Sequence, residues 1–208
     1  MPTSTFFNLP EEKRQNLVDL ALVEFAHNDY EKASLSKIVA RAGIAKGSIY
    51  QYFKDKQDMY FYLISLATQK KGEFLAGILE ERSDAPIFER LLALFSAMLK
   101  FQQRYPLLAQ LGNRILNVNS PLSKDLIEKA RTSTQRQFCE LFIQGQATGE
   151  IRMDVDPMAA GFILSAVILE AGNQPDLTLQ DFEKIYTQLV SILKIGMLRA
   201  DQKNGAQQ

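Results

Sequence analysis

The stretch Ser34–Lys56, SLSKIVARAGIAKGSIYQYFKDK, constrains the fold more than any other part of the chain. Ser34 is placed to cap a short helix whose inner face is Leu35, Ile38, Val39 and Ala42, at helical spacing. Gly43 supplies a left-handed stop, and Ile44 is an apolar plug after the turn. Helix resumes over 46–53, with Ile49 and Phe53 four apart. Two short helices joined by a glycine-containing turn predict a helix-turn-helix, whose second helix lies in the DNA major groove. The charges agree. From Ser34 to Lys54 the charged residues are Lys37, Arg41, Lys46 and Lys54, with no acid among them, in a chain that balances 24 basic against 24 acidic residues.

Ile38 to Phe53, followed by Lys56 and Met59, resembles the DNA-binding signature of TetR-family transcriptional regulators, over roughly residues 10–60. The Ala-Gly turn, Lys-Gly-x-x-Tyr-x-x-Phe and the following lysine occur in register. Two departures stand out. Ala45 occupies the place of the Ser or Thr that usually caps the second helix, and Asn28-Asp29 replaces a glycine before Tyr30. The resemblance implies that the 35–42 and 46–53 helices carry the DNA contacts. Lys37, Arg41, Lys46 and Lys56 are the predicted phosphate ligands. Ser36, Ser48 and Gln51 are short polar groups suited to base edges, glutamine to adenine in particular. Tyr50 and Tyr52 offer a hydroxyl to phosphate or a ring to a thymine methyl, and Gly47 keeps the helix start slim.

A neutral chain with one basic stretch suits a site-specific DNA binder better than a protein that coats nucleic acid. The single cysteine, Cys139, excludes an internal disulfide, and with one histidine, His27, a zinc site of the usual kind is not expected. His27 reads as a helix C-terminal cation or a surface residue. Phe6-Phe7 is too short for a signal peptide, and the longest apolar run, Met158 to Leu169, falls short of the roughly 20 residues of a membrane span. The expectation is a cytoplasmic protein with no membrane segment.

The remainder reads as helix throughout. Asn8 with Glu11 resembles a capping box for a first helix reaching about Asn28. Asp55 and Asp58 start a long helix to about Glu81, with broad apolar character. Pro86, Tyr105-Pro106, Ser120-Pro121, Asp156-Pro157 and Thr178 with Asp181 mark five further starts, and Gly149 marks a stop. The last of these helices ends near Arg199, and Asp201 to Gln208 is a polar tail. The predicted fold is all-α with about nine helices: a three-helix DNA-binding head over 1–57, and a larger ligand-binding and dimerisation domain over 58–208.

Phe61, Tyr62, Phe74, Phe95, Met98, Phe101, Tyr105, Phe138 and Phe142 lie at helical spacing in that larger part. Such residues form core, or line an apolar cavity of the kind the resemblance implies, with Asn113, Arg114 and Gln110 either as polar partners or as solvent-facing residues. The helix from Met158 is apolar nearly all round, and a helix of that kind is covered on every side. A second subunit is the predicted cover, through Ala159, Gly161, Phe162, Ser165 and Ala166, with Leu189 and Ile192 of the last helix. No nucleophile stands with a base, no glycine-rich loop cradles phosphate and no acidic residues cluster at metal-ligand spacing. The expectation is therefore no enzyme, no cofactor and no metal. The predicted partners are a double-stranded operator, a second copy of the chain and a small apolar effector. The rival expectation is an architectural or cell-division factor of the same fold, controlled by a protein partner.

Overall fold

A computed structural model of the chain describes residues 1–117, 121–172 and 178–197. Among them the chain forms ten α-helices and one 3₁₀ turn, with no extended strand. The helices are α1 (Ser4–Phe7), α2 (Glu11–His27), α3 (Leu35–Arg41), α4 (Ile49–Tyr52), α5 (Lys56–Glu81), α6 (Ile87–Arg104), α7 (Pro106–Asn117), α8 (Pro121–Ala147), α9 (Pro157–Gly172) and α10 (Leu179–Met197). The 3₁₀ turn, Lys46–Ser48, runs directly into α4. The loop expected at 118–119, the Ser120 cap and the tail from Asp201 fall outside the described residues.

Local signals placed most helix starts. Ser34 is extended and its hydroxyl accepts the Lys37 N–H. The Asp55 carboxylate accepts the Asp58 N–H at 2.8 Å, and Asp156 accepts the Met158 N–H at 2.8 Å. Thr178 and Asp181 form a reciprocal capping box, with bonds of 2.9 and 3.2 Å. Gly149 has φ +76°, and past it the Ile151 N–H returns to the Gly145 carbonyl at 3.0 Å, closing α8.

The box expected at Asn8 and Glu11 does not form. Asn8 is helical and terminates α1, its N–H bonded to the Ser4 carbonyl at 3.0 Å, and Pro10 precedes α2 without a side-chain cap. A cap residue must be extended, and the unforeseen α1 holds Asn8 in the helical region instead.

Two contact-dense units divide the chain: Met1–Glu73 with Phe101–Arg114, and Phe74–Lys100 with the described residues from Ile115 on. The first unit buries Phe6, Leu17, Ala21, Phe25, Ile38, Ile49, Phe53 and Leu63. In the second, Phe95, Phe138, Phe142, Leu164, Tyr186 and Val190 belong to one core, with Phe95 stacked on Tyr186 at 4.6 Å. Burial there pushes the Tyr186 phenol up to about 12.

Helix α9 packs against α8, and Ala160, Gly161, Leu164 and Ser165 are buried positions of α9. A Cβ on Gly161 would stand 2.9 Å from the Gln135 carbonyl oxygen and 3.0 Å from the Cys139 nitrogen. Gly161, expected at the subunit contact, thus faces α8 of its own chain, and Ser165, expected there too, is buried and bonded to the Phe162 carbonyl of its own helix. Small residues allow close helix approach whichever helix comes near, and α8 occupies that side. The opposite side of α9 is open: Ala159 and Ala166 are exposed, and Phe162 retains 60% of its accessible surface. On α10 Ile192 retains 65%, while Leu189 is half-buried.

Candidate nucleic-acid interface

The two short helices of the helix-turn-helix are held from beneath. Ile38 and Val39 of α3, Ile49 of α4 and Phe53 after it are buried, which turns the remaining positions outward. Gly43 has φ +66°, a backbone region costly for any residue with a Cβ. The Ile44 N–H returns to the Val39 carbonyl at 3.1 Å, and the chain leaves α3 sharply. Ser36, Lys37, Arg41, Lys46, Gly47, Tyr50 and Gln51 are exposed, while Ser48, Tyr52 and Lys56 are half-buried. Among the described residues none of Lys37, Arg41 and Lys46 has an ion-pair partner. The positive charge of this face is therefore not neutralised from within.

Lys56 differs from the other basic residues. Its Nζ donates to the Glu31 carbonyl at 3.0 Å and the Ala33 carbonyl at 2.8 Å, and lies 4.7 Å from the centre of the Tyr30 ring. It fastens the loop before α3 to the start of α5, an internal role that the sequence pattern does not announce.

Ala45 is extended, at φ −62° and ψ 141°, and leads into the 3₁₀ turn with no side-chain cap. That is the backbone of an N-cap with the wrong side chain. Ala45→Ser is expected to stabilise the chain by about 0.5–1 kcal/mol, by giving the Gly47 or Ser48 N–H an acceptor. A rise in the denaturation midpoint at constant slope checks it. An unchanged or lower midpoint shows that the turn does not accept the bond.

Two further residues support the face and carry no motif of their own. Glu24 is buried on α2, and its Oε1 accepts the Ser34 N–H at 3.0 Å. The start of α3 is therefore held by its own Ser34 hydroxyl and by a carboxylate from another helix. Arg114, near the end of α7, donates from Nε to the Ala26 carbonyl at 2.6 Å and from Nη2 to the His27 carbonyl at 3.3 Å. Its Nη1 reaches Asp29 Oδ1 at 2.7 Å. A guanidinium thus covers the negative end of α2. The sequence left Arg114 equally open as a polar partner of an effector or as a solvent-facing residue; its donors are directed at the head. Sequence offers no signal for this pairing, 85 to 88 residues apart.

The residues expected to line a pocket separate between the two units. Tyr62 lies against Phe6 at 5.3 Å and Phe53 at 5.8 Å, beneath α4. Phe61, Phe101, Tyr105 and Asn113 belong to the same unit, where Phe101 packs on Tyr105 at 5.1 Å. Phe95, Phe138 and Phe142 are fully buried in the core of the other unit, with Phe74 and Met98 half-buried at its margin. Nearby in the first unit, Tyr60 packs between Phe25 and Tyr30, at 5.2 and 5.0 Å, and burial raises its phenol to about 12.

Comparison with known proteins bears on this face directly. The sequence model described as bacterial regulatory proteins, tetR family, matches residues 17–63, which contain it. A TetR family transcriptional regulator from Chloroflexus aurantiacus J-10-FL, known from its crystal structure, is 38% identical, with a TM-score of 0.72. The match covers 96% of this chain and 99% of that one. The fatty acid metabolism regulator protein of Bacillus subtilis (strain 168) is 37% identical over 97 residues. That alignment spans 47% of this chain and 46% of the relative, so less than half of either. The crystal structure of the transcriptional regulator FadR from Bacillus subtilis in complex with stearoyl-CoA is 25% identical, with a TM-score of 0.71, over 88% of this chain and 98% of that one.

Proposed function

Because this chain belongs to the TetR family of bacterial regulatory proteins, we propose that it is a sequence-specific DNA-binding transcriptional regulator. It acts as a ligand-responsive repressor that binds a palindromic operator as a homodimer and leaves it when an apolar small molecule binds. The observation that carries the reading is the outward row Lys37, Arg41, Lys46, Tyr50 and Gln51 on a fully packed helix-turn-helix. Lysine and arginine anchor the backbone, and Gln51 and Ser36 reach base edges.

The open apolar side of α9, with Phe162, and exposed Ile192 on α10 support the second copy. Patches of this kind on a soluble chain mark contact surfaces. Two heads related by a two-fold axis then read half-sites roughly 34 Å apart, or a multiple of that. For the effector, the stearoyl-CoA complex of the Bacillus subtilis relative supports a long-chain acyl thioester. Of the expected lining residues in the second unit, Phe74 and Met98 are the half-buried ones, packed against its core, and the acyl chain is assigned to that margin.

The test is selection of a binding site from a random duplex library, followed by titration with stearoyl-CoA and with free CoA. Stearoyl-CoA is expected to release the selected duplex and CoA alone is not. By reciprocity, stearoyl-CoA must bind the DNA complex less tightly than the free protein. Release by neither compound removes the acyl reading and leaves DNA binding standing. Lys46→Ala is expected to weaken binding to all duplexes and to flatten the salt dependence by about one unit of slope, the contribution of one phosphate contact. An unchanged slope takes Lys46 off the phosphate backbone.

A further inference from the structure

We propose that the N-terminal segment Thr3–Phe7 is a positioning brace for the DNA-reading helix, so that Thr3 helps to set operator specificity through its hold on that helix. The inference rests on the DNA-binding reading above. Helix α4 is four residues long, and with its 3₁₀ lead-in the whole reading element is Lys46–Tyr52. A helix so short has no stability of its own, and its last carbonyls must be satisfied from outside. Thr3 does this. Its hydroxyl donates to the Gln51 carbonyl at 2.6 Å, and its N–H donates to the Tyr52 carbonyl at 2.9 Å.

The segment that carries Thr3 is itself fixed. Phe6 has no accessible surface, and its ring lies 4.9 Å from Phe53 and 5.3 Å from Tyr62. At the other end of α1, Arg14 of α2 donates to the Phe7 carbonyl at 2.9 Å. The brace therefore joins α2, α4 and α5 within one unit, and it grips the backbone of Gln51, the residue best suited to read adenine. Rotation or fraying of α4 moves Gln51 and Tyr50 relative to the bases but leaves Lys37 and Arg41 of α3, two of the expected phosphate ligands, in place. Loss of the Thr3 bond should accordingly lower sequence discrimination more than overall attraction to DNA.

The test uses the full chain and the duplex that wild-type protein selects from a random library, beside a scrambled duplex of equal length. Thr3→Val keeps the branched shape and the backbone donor and removes only the hydroxyl. It is expected to reduce affinity for the selected duplex by about three- to tenfold, the worth of one hydrogen bond. Affinity for the scrambled duplex should stay unchanged, because it depends on phosphate contacts. Thr3→Ser restores the donor and should recover the wild-type ratio. Equal ratios for wild type and Thr3→Val overturn the brace. So does a parallel fall on both duplexes with a lowered thermal midpoint, which marks a merely structural residue, or a Thr3→Ser variant that behaves like Thr3→Val. If the wild-type chain enriches no duplex at all, the DNA-binding reading itself fails, and the brace with it.

Discussion

Gly161→Ala is expected to destabilise the chain, whereas Gly77→Ala is expected to stabilise it. Both glycines lie inside helices, where alanine is favoured by up to about 1 kcal/mol. Nothing lies within 4 Å of a Cβ at Gly77, so that preference acts alone there. At Gly161 the new carbon meets the Gln135 carbonyl oxygen at 2.9 Å and the Cys139 nitrogen and Cα at 3.0 and 3.3 Å. These are backbone atoms of α8, which cannot swing aside as a side-chain tip does. Overpacking of this kind costs about 1–3 kcal/mol and outweighs the helix preference. Denaturant midpoints for the two variants should move in opposite directions. A common rise would mean that α8 and α9 slide apart freely. The same geometry makes Gly161 a poor probe of the subunit contact, since any side chain there disturbs the chain's own core first. Phe162, one residue on and largely exposed, is the better position for that purpose.

Arg114→Ala should produce the second large effect, a loosening of the DNA-reading unit. The substitution removes donors from the Ala26 and His27 carbonyls, at 2.6 and 3.3 Å, and breaks the contact with Asp29. The ion pair itself contributes little, since Asp29 is more than half exposed. The backbone contacts dominate: a cation on the last carbonyls of a helix contributes about 1–2 kcal/mol in partly buried sites. Hydrogen exchange at the last turn of α2 should rise, and affinity for operator should fall with it. Arg114→Lys is expected to recover only part, because an ammonium lacks the fork that reaches both carbonyls and Asp29 together. Full recovery by lysine would reduce the role of Arg114 to that of a point charge.

The elements recovered from sequence share one property: their cause lies within a few residues. Ser34 caps α3 across three positions, Gly43 turns the chain in its own φ, and Ile49 and Phe53 share one helical face. Asn8 and Glu11 show the limit of local reading. Their spacing matches a cap, but Asn8 was already claimed by α1, a helix too short to show a period. Lys56 satisfied the charge pattern of a phosphate ligand, and its donors go to Glu31 and Ala33, residues that a sequence window does not bring near.

Sequence by itself determined an all-helical chain, the helix-turn-helix and the outward polar row upon it, because periodicity, capping and turn chemistry act over one or two turns of helix. Tertiary structure alone decided the rest. It separated Tyr62 from Phe95, two aromatics with the same helical spacing, by placing one beneath α4 and the other in a different core. It turned Gly161 toward α8 and Phe162 away from it. It also brought Thr3, Glu24 and Arg114 to the backbone ends of helices 10 to 88 residues distant. An apolar or polar side chain records what kind of neighbour it needs, and only the packing of helices decides which neighbour arrives.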